Sequence, residues 1–109
     1  DNAFANHPKI TTPKRYKKST HVFHQYTLTT KGVDRLALQK YLNDSGIPMM
    51  IYYPVSLHMQ KAYQDSRYQK GDFPISEQLS KTVFSLPMHT EMDEEQLKFI
   101  TQKVLEFLG

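Results

Sequence analysis

No cysteine occurs among the 109 residues, which excludes a disulfide framework and a thiolate metal site and leaves nothing to argue for secretion. No apolar run approaches the roughly 18 residues of a membrane span, and no charged-then-apolar signal peptide opens the chain. A cytoplasmic protein with no membrane partner is the expectation. The four glycines, at positions 32, 46, 71 and 109, are too dispersed for a phosphate-cradling loop, so a bound phosphate would have to meet side chains. Ser56, His58 and Asp65 stand close together, but without a Gly-x-Ser-x-Gly elbow they do not read as a hydrolase triad. Internal repeats are absent as well.

What is present suits one small domain with a single core, too short for a two-domain enzyme. The net charge of +3 is unevenly placed: Lys9, Lys14, Arg15, Lys17 and Lys18 cluster early, while Asp93, Glu94 and Glu95 open the last helix. A basic cluster of this size reads as solvated surface rather than a phosphate track, so nucleic acid is not an expected partner. Residues 1–18, with Pro8 and Pro13 and no sustained period, suit an extended linker or arm leading in from a preceding domain; residues 19–109 form the folded unit. The start at Asp1, without a methionine, is compatible with a processed chain, an excised domain or a fragment of a longer protein.

Between His21 and Thr30, Val22, His24, Tyr26 and Leu28 alternate with Phe23, Gln25 and Thr27, which predicts a first strand. Asp34 is placed to cap a helix whose stripe is Leu38, Tyr41 and Leu42, with Val33 and Leu38 as a hydrophobic staple, Gly46 as the left-handed stop and Pro48 preventing continuation. Met49 to Tyr53 reads as a second, buried strand that ends where Pro54 withholds an amide. A long loop follows to Gly71. Pro74 then suits the first turn of a short helix carrying Ile75 and Leu79, Val83 to Leu86 a third strand closed by Pro87, and Asp93 with Gln96 a capping box. Leu97, Ile100, Val104 and Leu108 continue that last helix. The order strand, helix, strand, short helix, strand, helix gives an α/β sandwich of the α+β kind, with helices over one face of a small sheet.

His21-x-x-His24 invites a metal reading, but a separation of three on a strand points the two rings to opposite faces and no third ligand stands nearby. His24 shares a face with Val22 and Tyr26, as a hydrogen-bonded core or interface histidine would. On a strand, Tyr52 and Tyr53 alternate, so at most one of them faces a given ligand and the other should pack; for Tyr53, substrate contact and packing at the edge of the core both stay open. His58, in a loop at that strand's end, is unlike a core residue, and its charge near neutral pH would suit a phosphate or carboxylate. From these residues alone two other readings stay open. One is a small binding module using the basic arm and exposed tyrosines on RNA or an acidic protein, against which the missing paired aromatic strands count. The other is a dimerisation domain.

Taken in order, His21-Val-Phe-His-Gln-Tyr-Thr, Gly46-Ile-Pro, Ile51-Tyr-Tyr-Pro, Leu57-His, Ala62-Tyr and Ser85-Leu-Pro-Met resemble the C-terminal part of the DegT/DnrJ/StrS-type aminotransferases, from about Thr11 to the end. Those enzymes use pyridoxal phosphate to aminate nucleotide-linked keto sugars. The resemblance implies the small domain of a fold-type I enzyme, with a largely antiparallel sheet of about three strands. It places Tyr53, with Tyr52 beside it, and His58 on the substrate side, and it implies glutamate as amino donor and a homodimeric parent. It implies no catalytic residue here. The family's Schiff-base lysine, the aspartate on the pyridine nitrogen and the phosphate loop belong to the large domain, so this piece alone is expected to bind no pyridoxal phosphate and to be inactive.

Overall fold

Strand β2 (Tyr26–Thr30) lies at the centre of a three-stranded antiparallel sheet, between β1 (Ile10–Thr11) and β3 (Val83–Leu86), in a computed structural model that describes residues 1–109. The register pairs Leu28 with Phe84 and Tyr26 with Leu86 on one face, and Thr27 with Ser85 and Thr29 with Val83 on the other. The first face carries the core. Leu28 and Phe84 are fully enclosed and cluster with Leu38 and Leu42 of α1 (Arg35–Asp44) and with Ile100, Val104 and Leu108 of α3 (Glu94–Leu108). Each fully buried side chain of this kind contributes about 1.5–3 kcal/mol relative to exposure. The expected α+β arrangement, a small antiparallel sheet with helices packed on it, is the one observed.

Both long helices start where their caps place them. Asp34 accepts from the amides of Leu36 and Ala37 at 3.1 and 3.0 Å, and Gly46, at φ +79°, ends α1 in the left-handed region as the Ile47 amide returns to the Leu42 carbonyl at 2.8 Å. At α3 the capping box is complete: the Gln96 amide donates to Asp93 at 2.7 Å and the Asp93 amide to the Gln96 side chain at 3.3 Å. Helix α2 (Pro74–Thr82) begins at its proline as expected but adds nothing to the core cluster, leaving Ile75 and Leu79 exposed.

Three parts of the sequence reading are corrected. Met49 to Tyr53 is not a strand. Met50 exchanges a single pair of hydrogen bonds with Ser85, at 3.1 and 2.7 Å, and the ladder goes no further. The Met49 amide donates instead to the Asn43 side chain, and its carbonyl accepts from Gln39, so α1 satisfies the backbone that a neighbouring strand would have paired. The run is still buried, with Ile47 and Met49 in the core.

The first strand is also shorter than its pattern, because β3 stops at Leu86 and Pro87 brings no amide to pair beyond it. Residues 21–25 therefore leave the sheet: Phe23 turns at φ +50°, with its amide on the His21 ring at 2.8 Å, and Val22 and His24 are exposed rather than packed. Finally, residues 1–18 are not extended throughout. Phe4 and Ile10 are buried in the core, β1 supplies the third strand, and Lys9 donates to the Leu108 carbonyl at the far end of α3.

Candidate functional site

Residues 52–73, the long connection, are organised by short turns and by α2. Two 3-10 turns, Leu57–Met59 and Lys61–Tyr63, shape its middle, and the Ser76 hydroxyl donates to Ser56 at 3.2 Å from the first turn of α2. Between this connection, α2 and Val83 of the second sheet face lies an open cavity of about 1010 Å³. Tyr52, Tyr53, Val55, Phe73, Ile75 and Leu79 are among its walls, and its polar groups are serine and tyrosine hydroxyls, Gln60 and Asp72. No lysine, arginine or histidine lines it. An apolar, aromatic-walled cavity with a few hydroxyls suits the faces of a ring-bearing ligand better than it suits a phosphate.

The structure brings Tyr52 and Tyr53 together. Their rings stand edge to face with centroids 6.1 Å apart, and both line this cavity. The expected division of labour, one tyrosine toward a ligand and one packed away, rested on strand alternation, which does not apply to a segment outside the ladder. Tyr53 is the more open, at 74 % exposed against 38 % for Tyr52.

His58 is placed apart from them. It lines a second cavity of about 440 Å³, a polar one, with Gln64, Asp65, Tyr68, Gln69 and Lys70 among its neighbours. Far from being open in a loop, its side chain is 8 % exposed. Its ring packs on Phe73 at 4.8 Å between centroids, and Phe73 lines the apolar cavity. His58 Nε2 lies 3.0 Å from Oε1 of Glu77, and the Gly71 amide donates to the same oxygen at 2.6 Å. The Gly71 amide holds the Glu77 carboxyl below its ordinary value of 4.5; burial opposes this, and the hydrogen bond from His58 adds to the lowering.

Glu77 is the residue that sequence reasoning missed. A glutamate on a short amphipathic helix reads as solvent-facing, yet this one is 8 % exposed. A signal was available: α2 lacks a capping side chain at Phe73, and an acid in its first turn is placed to take up a loop amide ahead of the helix.

The residues present do not fit pyridoxal phosphate by themselves. The apolar cavity has no lysine, and in the polar one Lys70 stands with Asp65, whose two oxygens are held by Arg67 in a bidentate pair at 2.9 and 2.8 Å. Neither cavity joins a lysine, a free acid for a pyridine nitrogen and a nest of amides for a phosphate. Nor do three or more histidines or acids converge as a metal site would need.

Comparison with known proteins gives this geometry its context. The family model described as the DegT/DnrJ/EryC1/StrS aminotransferase family matches residues 1–105. A pleiotropic regulatory protein of Geobacillus stearothermophilus is 40 % identical over 98 residues, covering 90 % of this chain and 26 % of that protein. A dTDP-3-amino-3,6-dideoxy-alpha-D-galactopyranose transaminase of Aneurinibacillus thermoaerophilus is 37 % identical over 103 residues, covering 94 % and 26 %. The crystal structure of DesV from S. venezuelae, in complex with a ketimine intermediate, superposes with a TM-score of 0.87 at 28 % identity, over 96 % of this chain and 28 % of that one. The chain thus spans about a quarter of the length of the curated relatives it matches. No helix is long and apolar enough to cross a membrane.

Proposed function

The chain belongs to the DegT/DnrJ/EryC1/StrS aminotransferase family, and on that premise we propose that it is the C-terminal, substrate-side domain of a cytoplasmic, homodimeric enzyme that transfers an amino group from glutamate to a nucleotide-linked keto sugar. Pyridoxal phosphate supplies the amino-transfer chemistry and is held by the rest of the enzyme. This domain contributes binding: Tyr53 and Tyr52 meet the sugar nucleotide at the apolar cavity, and His58 meets it from the polar one. The observation that carries this reading is that the family match spans residues 1–105, while those residues provide two cavities and no cofactor cradle.

The test is to supply the whole protein with glutamate and a panel of dTDP- and UDP-linked keto sugars and to follow amino-sugar formation. Turnover that requires pyridoxal phosphate and saturates with one of these sugars supports the reading. Turnover of simple amino and keto acids with no sugar-nucleotide activity would overturn it.

A further inference from the structure

Glu77 Oε1 takes two partners, the Gly71 amide at 2.6 Å and His58 Nε2 at 3.0 Å. An ionised carboxylate has no proton to give, so Oε1 accepts from both partners, and the ring nitrogen facing it carries the proton. A neutral imidazole has one donor and one acceptor nitrogen, so Nδ1 is left as the acceptor. Nδ1 has no protein partner and is not sealed off, since Arg35 Nε is the buried side-chain polar atom left without one. The ring cannot turn freely to carry Nε2 away from the carboxylate, because it packs against Phe73 and its side chain is 8 % exposed. Glu77 is itself anchored, on a helix turn and by the Gly71 amide.

We propose that Glu77 is a positioning residue that fixes His58 with its proton on Nε2, so that His58 offers Nδ1 to the polar cavity as an acceptor for a hydroxyl or N–H donor. In that neutral form His58 is an acceptor and not a cation for a phosphate; the positive charge lining that cavity is the ammonium of Lys70. The inference rests on the reading of His58 as a substrate contact, and it narrows that contact to sugar hydroxyls or a base N–H.

Long-range proton–nitrogen NMR of the imidazoles in this chain reads the proton position directly. The Nε2-protonated form should exceed the other by about tenfold or more, as a hydrogen bond to a charged group requires. Replacing Glu77 by alanine should lower that excess severalfold, while Glu77→Gln, which keeps an acceptor oxygen, should retain most of it. A wild-type ring protonated on Nδ1, or a ratio that Glu77→Ala leaves unchanged, would overturn the proposal.

In the whole enzyme, Glu77→Ala and His58→Ala should raise the KM for the sugar nucleotide by the same factor, and the double variant no further. An effect of His58→Ala that Glu77→Ala does not share overturns the positioning role. A silent His58→Ala overturns the substrate reading alone, and the proton position still decides the role of Glu77.

Discussion

His58 in the turn Leu57–Met59 and Glu77 in α2, 19 residues apart, meet at 3.0 Å with side chains 8 % and 10 % exposed. The pair ties the long connection to the helix that walls the apolar cavity. Because the folded carboxyl of Glu77 lies below its ordinary 4.5, the stabilisation it brings is fully present above about that pH and is lost as pH falls through the lowered folded value. Urea melts of wild type and Glu77→Gln should therefore diverge near neutrality, with wild type the more stable, and converge on acidification below 4.5. A gap that widens on acidification would contradict the assigned ionisation.

The capping box of α3 is a second quantity open to measurement. Replacing Asp93 by alanine leaves the Gln96 amide without its partner and should cost about 0.5–2 kcal/mol in chemical denaturation. A cost below about 0.2 kcal/mol would mean that the box does not hold the helix start in solution.

Phe4, 3 % exposed, and Ile75, 74 % exposed, separate core from cavity wall. Phe4→Ala should destabilise by about 3–5 kcal/mol, as a core phenylalanine does. Ile75→Ala should stay within about 0.5 kcal/mol. The reverse order would return the N-terminal segment to a detached arm and move α2 into the core.

Mixed with pyridoxal phosphate, this chain should show only non-saturating absorbance from exposed lysines, because neither cavity offers a lysine with a phosphate nest. A stoichiometric, saturable complex would show a cofactor site within these residues.

The helices were legible because their signals are local: Asp34 and Gly46 bound α1, and Asp93 with Gln96 starts α3. The order of family motifs was legible for the same reason. What escaped reading depends on distant partners. Met49 to Tyr53 has a strand's composition, but Gln39 and Asn43 take up the Met49 backbone, and no local pattern announces that. Tyr52 and Tyr53 were separated by an alternation that ends with the ladder. Phe4 and Ile10 are apolar residues in a proline- and lysine-rich stretch whose burial depends on the sheet edge and α3 being formed. The burial of Glu77 depends on His58 and Gly71, which lie in a loop whose course periodicity cannot give.

The central claim, that this domain binds the sugar nucleotide while the cofactor is held elsewhere, is tested most directly by Tyr53→Phe and His58→Ala in the whole enzyme. Losing one hydrogen bond costs about 0.5–1.5 kcal/mol, or about 1.5–3 when charge-assisted, so the KM for the sugar nucleotide should rise severalfold to about a hundredfold. Cofactor absorbance and the half-reaction with glutamate should be unchanged. Loss of the cofactor in either variant, or unaltered sugar-nucleotide kinetics in both, would contradict the account.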